Sequence, residues 1–315
     1  MFKQQEDAWH EQRGYFSHAL DALGDGSKLA AAIAEGISEL DSLGKTSGDE
    51  AVMTTVPEKA WGKALRLEPA VGPGHGLSLN LSTAFGAIVS LIECSSEACD
   101  TSDQAQWASE LNPLGRFVYR SRSYEAGVDY YKHYQYVNAG WGPRVYEKLG
   151  VTSATANETT SYAKISALHA NATAIVAQLT PPAFISEIYG GPRALRLFLS
   201  LPSQAEGLQV TLSVYEKTTT RLPEESWMEF RPLLSSGDGT ATLAIEKLGS
   251  MVDPADMLVN GSRTLHAVGD EQGVVFTEAA AGKRLRLISL DAGLVSPGRM
   301  YTGNPHHFYN LVGPG

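Results

Sequence analysis

Arg221 and Glu224 bracket Leu222-Pro223, a pair that fixes the local backbone and directs the flanking side chains outward. A guanidinium supplies several donors and a carboxylate paired acceptors, the combination that orders the vicinal hydroxyls of a sugar. The same two groups also suit a local ion pair bracing the turn, and Glu225 is an equal candidate for the role of Glu224. His266 lies within a strand-like run, Leu265-His266-Ala267-Val268, where an imidazole serves either as a ligand contact or as a hydrogen-bonded sheet residue. Asp291 follows the run Leu285–Leu290; at such a strand end a carboxylate faces a cleft or caps the next turn. Only the segment Val274–Thr277 intervenes between the His266 and Asp291 runs, so a meander would gather Arg221, Glu224, His266 and Asp291 on one rim.

Other chemistries are weaker. His306-His307 are adjacent, and neighbouring side chains point apart on a strand or helix, so they assign no metal. No Gly-x-Ser-x-Gly elbow accompanies the histidines to suggest a nucleophilic triad. Cys94 and Cys99 are the only cysteines, too few for a disulfide scaffold or a zinc tetrad. A chain of this size does not depend on a staple, so free thiols are expected, with one local bridge as the alternative.

The elements that must position these residues change character along the chain. From Phe2 to about Leu43 the apolar residues recur at helical spacing: Trp9, Phe16, Leu20 and Leu23, then Leu29, Ile33, Ile37 and Leu40. Gly24 and Gly26 end the first helix and Ser27 caps the second. Each helix has one apolar stripe, and the pair cannot close a core alone. Beyond Gly72-Pro73-Gly74 the period becomes two. Leu77, Leu79 and Leu81 alternate with polar residues, and Phe85-Gly86 turns the chain into a second strand.

Further short runs follow at 116–122, 174–179, 195–201, 208–216, 227–231, 241–247, 263–268, 274–277 and 284–290. This pattern predicts a mainly β fold, an antiparallel β-sandwich preceded by a helical hairpin, divided at 1–60 and 61–315. Trp227 is expected to anchor the core, sharing its strand face with Glu229, with Met228 and Phe230 opposite. The span from Ser123 to about Asn171 carries Tyr124, Tyr130, Tyr131, Tyr134, Tyr136, Trp141 and Tyr146 and reads as a long insertion. Its rings either stack on sugar faces or pack against the sandwich.

Composition narrows the partners. The 315 residues carry a formal net charge of −10, which disfavours nucleic acid. No stretch approaches the roughly 20 apolar residues that cross a bilayer, so no membrane partner is expected. A neutral substrate such as a carbohydrate, or a protein, fits better.

An ordered series of segments carries a resemblance. Trp9-His10-Glu11-Gln12-Arg13-Gly14-Tyr15 comes first, then Pro113-Leu114-Gly115-Arg116-Phe117, and Thr220-Arg221-Leu222-Pro223-Glu224 with Trp227 and Phe230. Lys247-Leu248-Gly249, Asp253-Pro254, Asn260-Gly261, Leu265-His266-Ala267-Val268 and Leu290-Asp291-Ala292 continue it over nearly the whole chain. The series resembles the C-terminal part of the domain of unknown function 5054 group, related to glycoside hydrolase family 38, the α-mannosidases. That likeness implies a sandwich of the galactose mutarotase and α-mannosidase C-terminal type, the helix pair being a remnant of a middle helical bundle. It also implies that the nucleophilic aspartate and a divalent metal such as zinc belong to a catalytic barrel outside this chain, which needs no cofactor of its own. The family's His-x-Asp and His-His-Asp metal segments are absent here, and the family pattern continues past Gly315. The expectation is thus a non-catalytic C-terminal portion, or fragment, of an α-mannosidase-like hydrolase that binds carbohydrate and docks the barrel. The alternative is a stand-alone sandwich binding carbohydrate or protein.

Overall fold

The computed structural model describes residues 2–24, 27–43, 53–71, 76–94, 106–121, 123, 157–203, 206–218, 224–234, 241–256, 266–269, 271–279, 282–292 and 294–297. The chain separates into two compact units, Met1–Thr54 and Thr55–Gly315.

The first unit is a helical pair, α1 (Phe2–Leu23) and α2 (Lys28–Leu43). Gly24 leaves α1 at φ +69°, and its N–H bonds to the Leu20 carbonyl at 3.2 Å, the left-handed cap that glycine adopts without steric cost. Ser27 starts α2, its hydroxyl accepting from the Ala30 N–H at 3.4 Å. Phe16, Leu23 and Leu29 are exposed, as is Tyr15. Leu20 and Ile33 are half-buried. The side chains of Trp9, Ile37 and Leu40 lie outside the description.

The second unit is mainly antiparallel β-structure, as the alternating runs predict. Its strands are β1 (Thr54–Thr55), β2 (Leu65–Leu67), β3 (Leu77–Leu81), β4 (Ile88–Glu93), β5 (Leu114–Ser121), β6 (Thr159–Ser161), β7 (Lys164–Ala170), β8 (Ala174–Thr180) and β9 (Ala194–Ser200). They continue as β10 (Gln209–Tyr215), β11 (Glu224–Phe230), β12 (Ala241–Lys247), β13 (Ser250–Val252), β14 (His266–Ala267), β15 (Val274–Glu278), β16 (Lys283–Leu287) and β17 (Leu294–Val295). A short helix, α3 (Ala183–Tyr189), links β8 to β9.

Two sheets face each other across one core. The first runs β1-β7-β8-β9-β10 and the second β11-β5-β4-β3-β2, with β6 also paired to β5. Leu168, Ile175, Leu179, Leu197 and Leu199 from the first meet Leu79, Leu81, Ile88, Phe117 and Tyr119 from the second. Every second residue of a strand faces the same way, so the spacing of Leu77, Leu79 and Leu81 aims them at this core. The turn at Gly86 has φ +54°, and a Cβ there would meet Leu179 Cδ2 at 2.4 Å, which explains the glycine twice over.

Three features differ from the sequence reading. Thr159–Ser161 and Lys164–Ala170 are strands, so the expected insertion ends earlier than Asn171; the aromatic residues from Tyr124 to Tyr146 lie outside the described residues. A second, smaller core of Leu234, Ile245, Val274, Phe276 and Val295 sits under a four-stranded sheet, β13-β12-β15-β16, with Trp107 and Phe230 packed against both cores. Finally, among the described residues no cysteine is free: fully buried Cys94 is disulfide-bonded, which corrects the expectation of free thiols. Cys94 directly follows β4, where its N–H bonds the Gly76 carbonyl, so the bridged residue stands at the end of a sheet strand.

Candidate functional site

Glu224 opens β11 opposite Ser121 of β5, on the inner face of the sheet. There Tyr119 donates its hydroxyl to Glu224 Oε2 at 2.7 Å, and Lys217 Nζ donates to Oε1 at 2.5 Å. Tyr119 is fully buried, and its hydroxyl also lies 3.4 Å from the Tyr189 carbonyl at the end of α3. Burial, then the bond to Glu224, pushes the phenol well above its ordinary pKa. Gly191 makes room for the ring: a Cβ there would meet Ile185 Cγ2 at 2.5 Å and Tyr119 Cε2 at 3.1 Å. Glu224 thus ties β5 to the residues joining β10 and β11. Proline geometry suggested a side chain thrown outward; strand alternation turns it inward instead.

The outer face of the same two strands holds a ladder of charged pairs. Arg116 lies opposite Glu229, Val118 opposite Trp227 and Arg120 opposite Glu225. Arg116 Nε donates to Glu229 Oε2 at 2.6 Å, and Nη2 of Arg116 contacts the same oxygen. The guanidinium also lies 4.5 Å from the centre of the Tyr162 ring and 5.4 Å from that of Phe85. Arg120 pairs with Glu158 at 3.2 Å. The Trp227 indole N–H donates to Glu225 at 3.1 Å. Trp227, expected to anchor the core, is half-buried on this outer face, and Met228 and Phe230 pack on the core instead. Sequence reasoning missed the ladder because no local spacing tells which strand lies beside β5. The one available signal was the alternation Glu225, Trp227, Glu229.

A third polar site organises one end of the small sheet. The Glu246 carboxylate, almost wholly buried, accepts from the N–H of Gln272 at 2.6 Å and of Gly273 at 3.1 Å. A Cβ on Gly269 would meet its Cδ at 2.6 Å. The same end carries His266, fully buried in β14, and the exposed bend residue Asp291.

Of the four rim candidates, Arg221 lies outside the described residues. β14, which carries His266, pairs with β17, three residues past Asp291, and not with β15 as a meander requires. Glu224 stands at the start of β11, whose other end, Phe230, packs against the small core.

What these groups do together is brace a frame. The carboxylates of Glu224, Glu229 and Glu246 are committed to protein donors, and among the described residues no three His, Cys, Asp or Glu side chains gather where they could hold a metal ion. No described helix is long and apolar enough to cross a membrane.

The chain thus comprises a mainly β unit with internally engaged carboxylates and a separate helical unit. The chain belongs to the domain of unknown function 5054 family, whose model matches residues 1–209. The match ends within the first residues of β10, short of the nearly whole-chain likeness expected from the segment series. No curated protein and no solved structure matches the chain.

Proposed function

We propose that this chain is the non-catalytic portion of an α-mannosidase-like glycoside hydrolase, the sandwich contributing to carbohydrate binding and the helical pair docking a catalytic barrel. The observation that carries the reading is the helical unit itself, a compact unit of its own with Tyr15, Phe16, Leu23 and Leu29 exposed. Helices then sandwich is also the order of parts that follows the barrel in family 38.

A retaining glycosidase needs two carboxyl groups about 5 Å apart, one free to attack carbon and one to carry a proton. The engaged states of Glu224, Glu229 and Glu246 favour a supporting role for this chain. A divalent metal such as zinc is assigned to the barrel, and no step here runs through it. Sugar contact is assigned to Arg221, three residues before Glu224 in the sequence, with Glu224 held by Tyr119 and Lys217.

Saturation-transfer NMR with methyl α-mannoside as the probe tests the binding part. The intact chain should transfer saturation to the sugar, and Arg221→Ala should diminish it. No transfer at millimolar sugar, the weak end of specific affinity, would remove carbohydrate binding from the proposal.

A further inference from the structure

Leu248 and Gly249 form the two-residue tip between β12 and β13, whose flanking residues Lys247 and Ser250 are register partners. Leu248 has φ +49° and Gly249 φ +79°. Such a turn favours Asn-Gly, because a branched apolar side chain gains nothing from the left-handed region. Leu248 is moreover 104% exposed, so the strained residue contributes no packing to its own fold. Its neighbours at this end are also apolar and open: Leu290 is 80% exposed and Leu294 58%, with Met251 and Ile288 exposed to lesser degree.

The topology places them together. β12 runs antiparallel to β15, and β15 to β16, so the β12 tip and the exit of β16 lie at the same end of the sheet, about two strand spacings or roughly 10 Å apart. Leu294 pairs with Ala267, two residues before Gly269, whose N–H bonds the Glu246 carbonyl. Glu246, two residues before Leu248, thus ties the tip of β12 to the segment that leads from β14 into β15.

The charges beside the apolar residues are of opposite sign. Lys247 adjoins Leu248 and Asp291 adjoins Leu290, and neither enters an ion pair among the described residues. A surface with a basic apolar corner and an acidic apolar corner is complementary to itself under a two-fold rotation.

We propose that this end of the small sheet is a homodimer interface, with Lys247 and Leu248 of one copy against Asp291 and Leu290 of the second. Each copy supplies both halves, so the contact closes at two chains. The interface is independent of the carbohydrate reading.

Sedimentation equilibrium of the intact chain over the micromolar range, at moderate salt, tests it. The wild type should dimerise. Leu248→Asn should weaken the dimer about tenfold or more, while its thermal midpoint, compared where both proteins are monomeric, stays level or rises because Asn-Gly suits the turn. Lys247→Glu should weaken it too, and adding Asp291→Lys should restore association to within about threefold of wild type. A wild type that stays monomeric overturns the proposal, whether the patch is covered by the chain's own residues or by another protein. A dimer indifferent to Leu248→Asn, or a charge exchange that fails to restore it, does the same.

Discussion

Tyr119 and Glu224 meet across two strands of the sandwich, the fully buried phenol donating to the carboxylate at 2.7 Å while Lys217 donates to its other oxygen. Glu224, for which the sequence offered a ligand role or a local ion pair, accepts from both an internal phenol and a lysine. Removing the hydroxyl with Tyr119→Phe should cost about 1.5 to 3 kcal/mol, the range for a hydrogen bond to a charged group, read as a lowered urea midpoint with unchanged slope.

The same pair gives the chain a pH dependence. The folded phenol is held above its ordinary pKa, by burial first and by the Glu224 bond second, while in the unfolded chain it ionises near pH 10. The unfolded state therefore loses the proton first, so this contribution is complete below about pH 10 and is lost as pH rises beyond it. Between about pH 9 and pH 11, wild-type stability should fall more steeply than that of Tyr119→Phe; parallel curves would show that the phenol ionises freely.

Arg116 and Glu229 are a desolvated pair, their side chains 11% and 3% exposed, with the guanidinium against the rings of Tyr162 and Phe85. Glu229→Gln leaves a cation without its counter-charge and should cost about 3 to 5 kcal/mol. A double-mutant cycle with Arg116→Met should recover a substantial part of that loss; strict additivity would mean that the two groups do not interact.

Phe117 and Trp227 separate the inner face from the outer. Phe117 is 2% exposed within the main core, and Phe117→Ala should cost about 3 to 5 kcal/mol. Trp227, half-buried and bonded to Glu225, should cost nearer 1 kcal/mol when truncated. Chemical denaturation of the two variants side by side checks the order, and a larger loss for Trp227 would return it to the core.

The parts of the fold that could be read from residues alone are those set by local periodicity. Leu77, Leu79 and Leu81 announce a half-buried strand, and Gly24 and Ser27 mark where one helix ends and the next begins, because these signals act within a few residues. Strand partners are chosen by distant surfaces. Nothing near Arg116 says that Glu229 lies beside it, 113 positions on, and nothing near His266 says that Val295 is its neighbour. Lys164–Ala170 was hidden because Ser166 and Ala167 fall where the β7–β8 register shifts, which breaks the period of two. Glu224 was read as part of a turn because Pro223 precedes it, whereas β11 already begins there and strand alternation sets the direction of its side chain.

The most direct test of the proposed role compares hydrolysis of a chromogenic α-mannoside by this chain alone and by a polypeptide extended upstream to include a barrel, if the gene encodes one. The account predicts no turnover by the chain alone. It predicts turnover by the extended form that is lost when the exposed helical residues Phe16 and Leu29 are changed to Asp. Turnover by the 315-residue chain alone, abolished by removal of one of its own carboxylates, would contradict it.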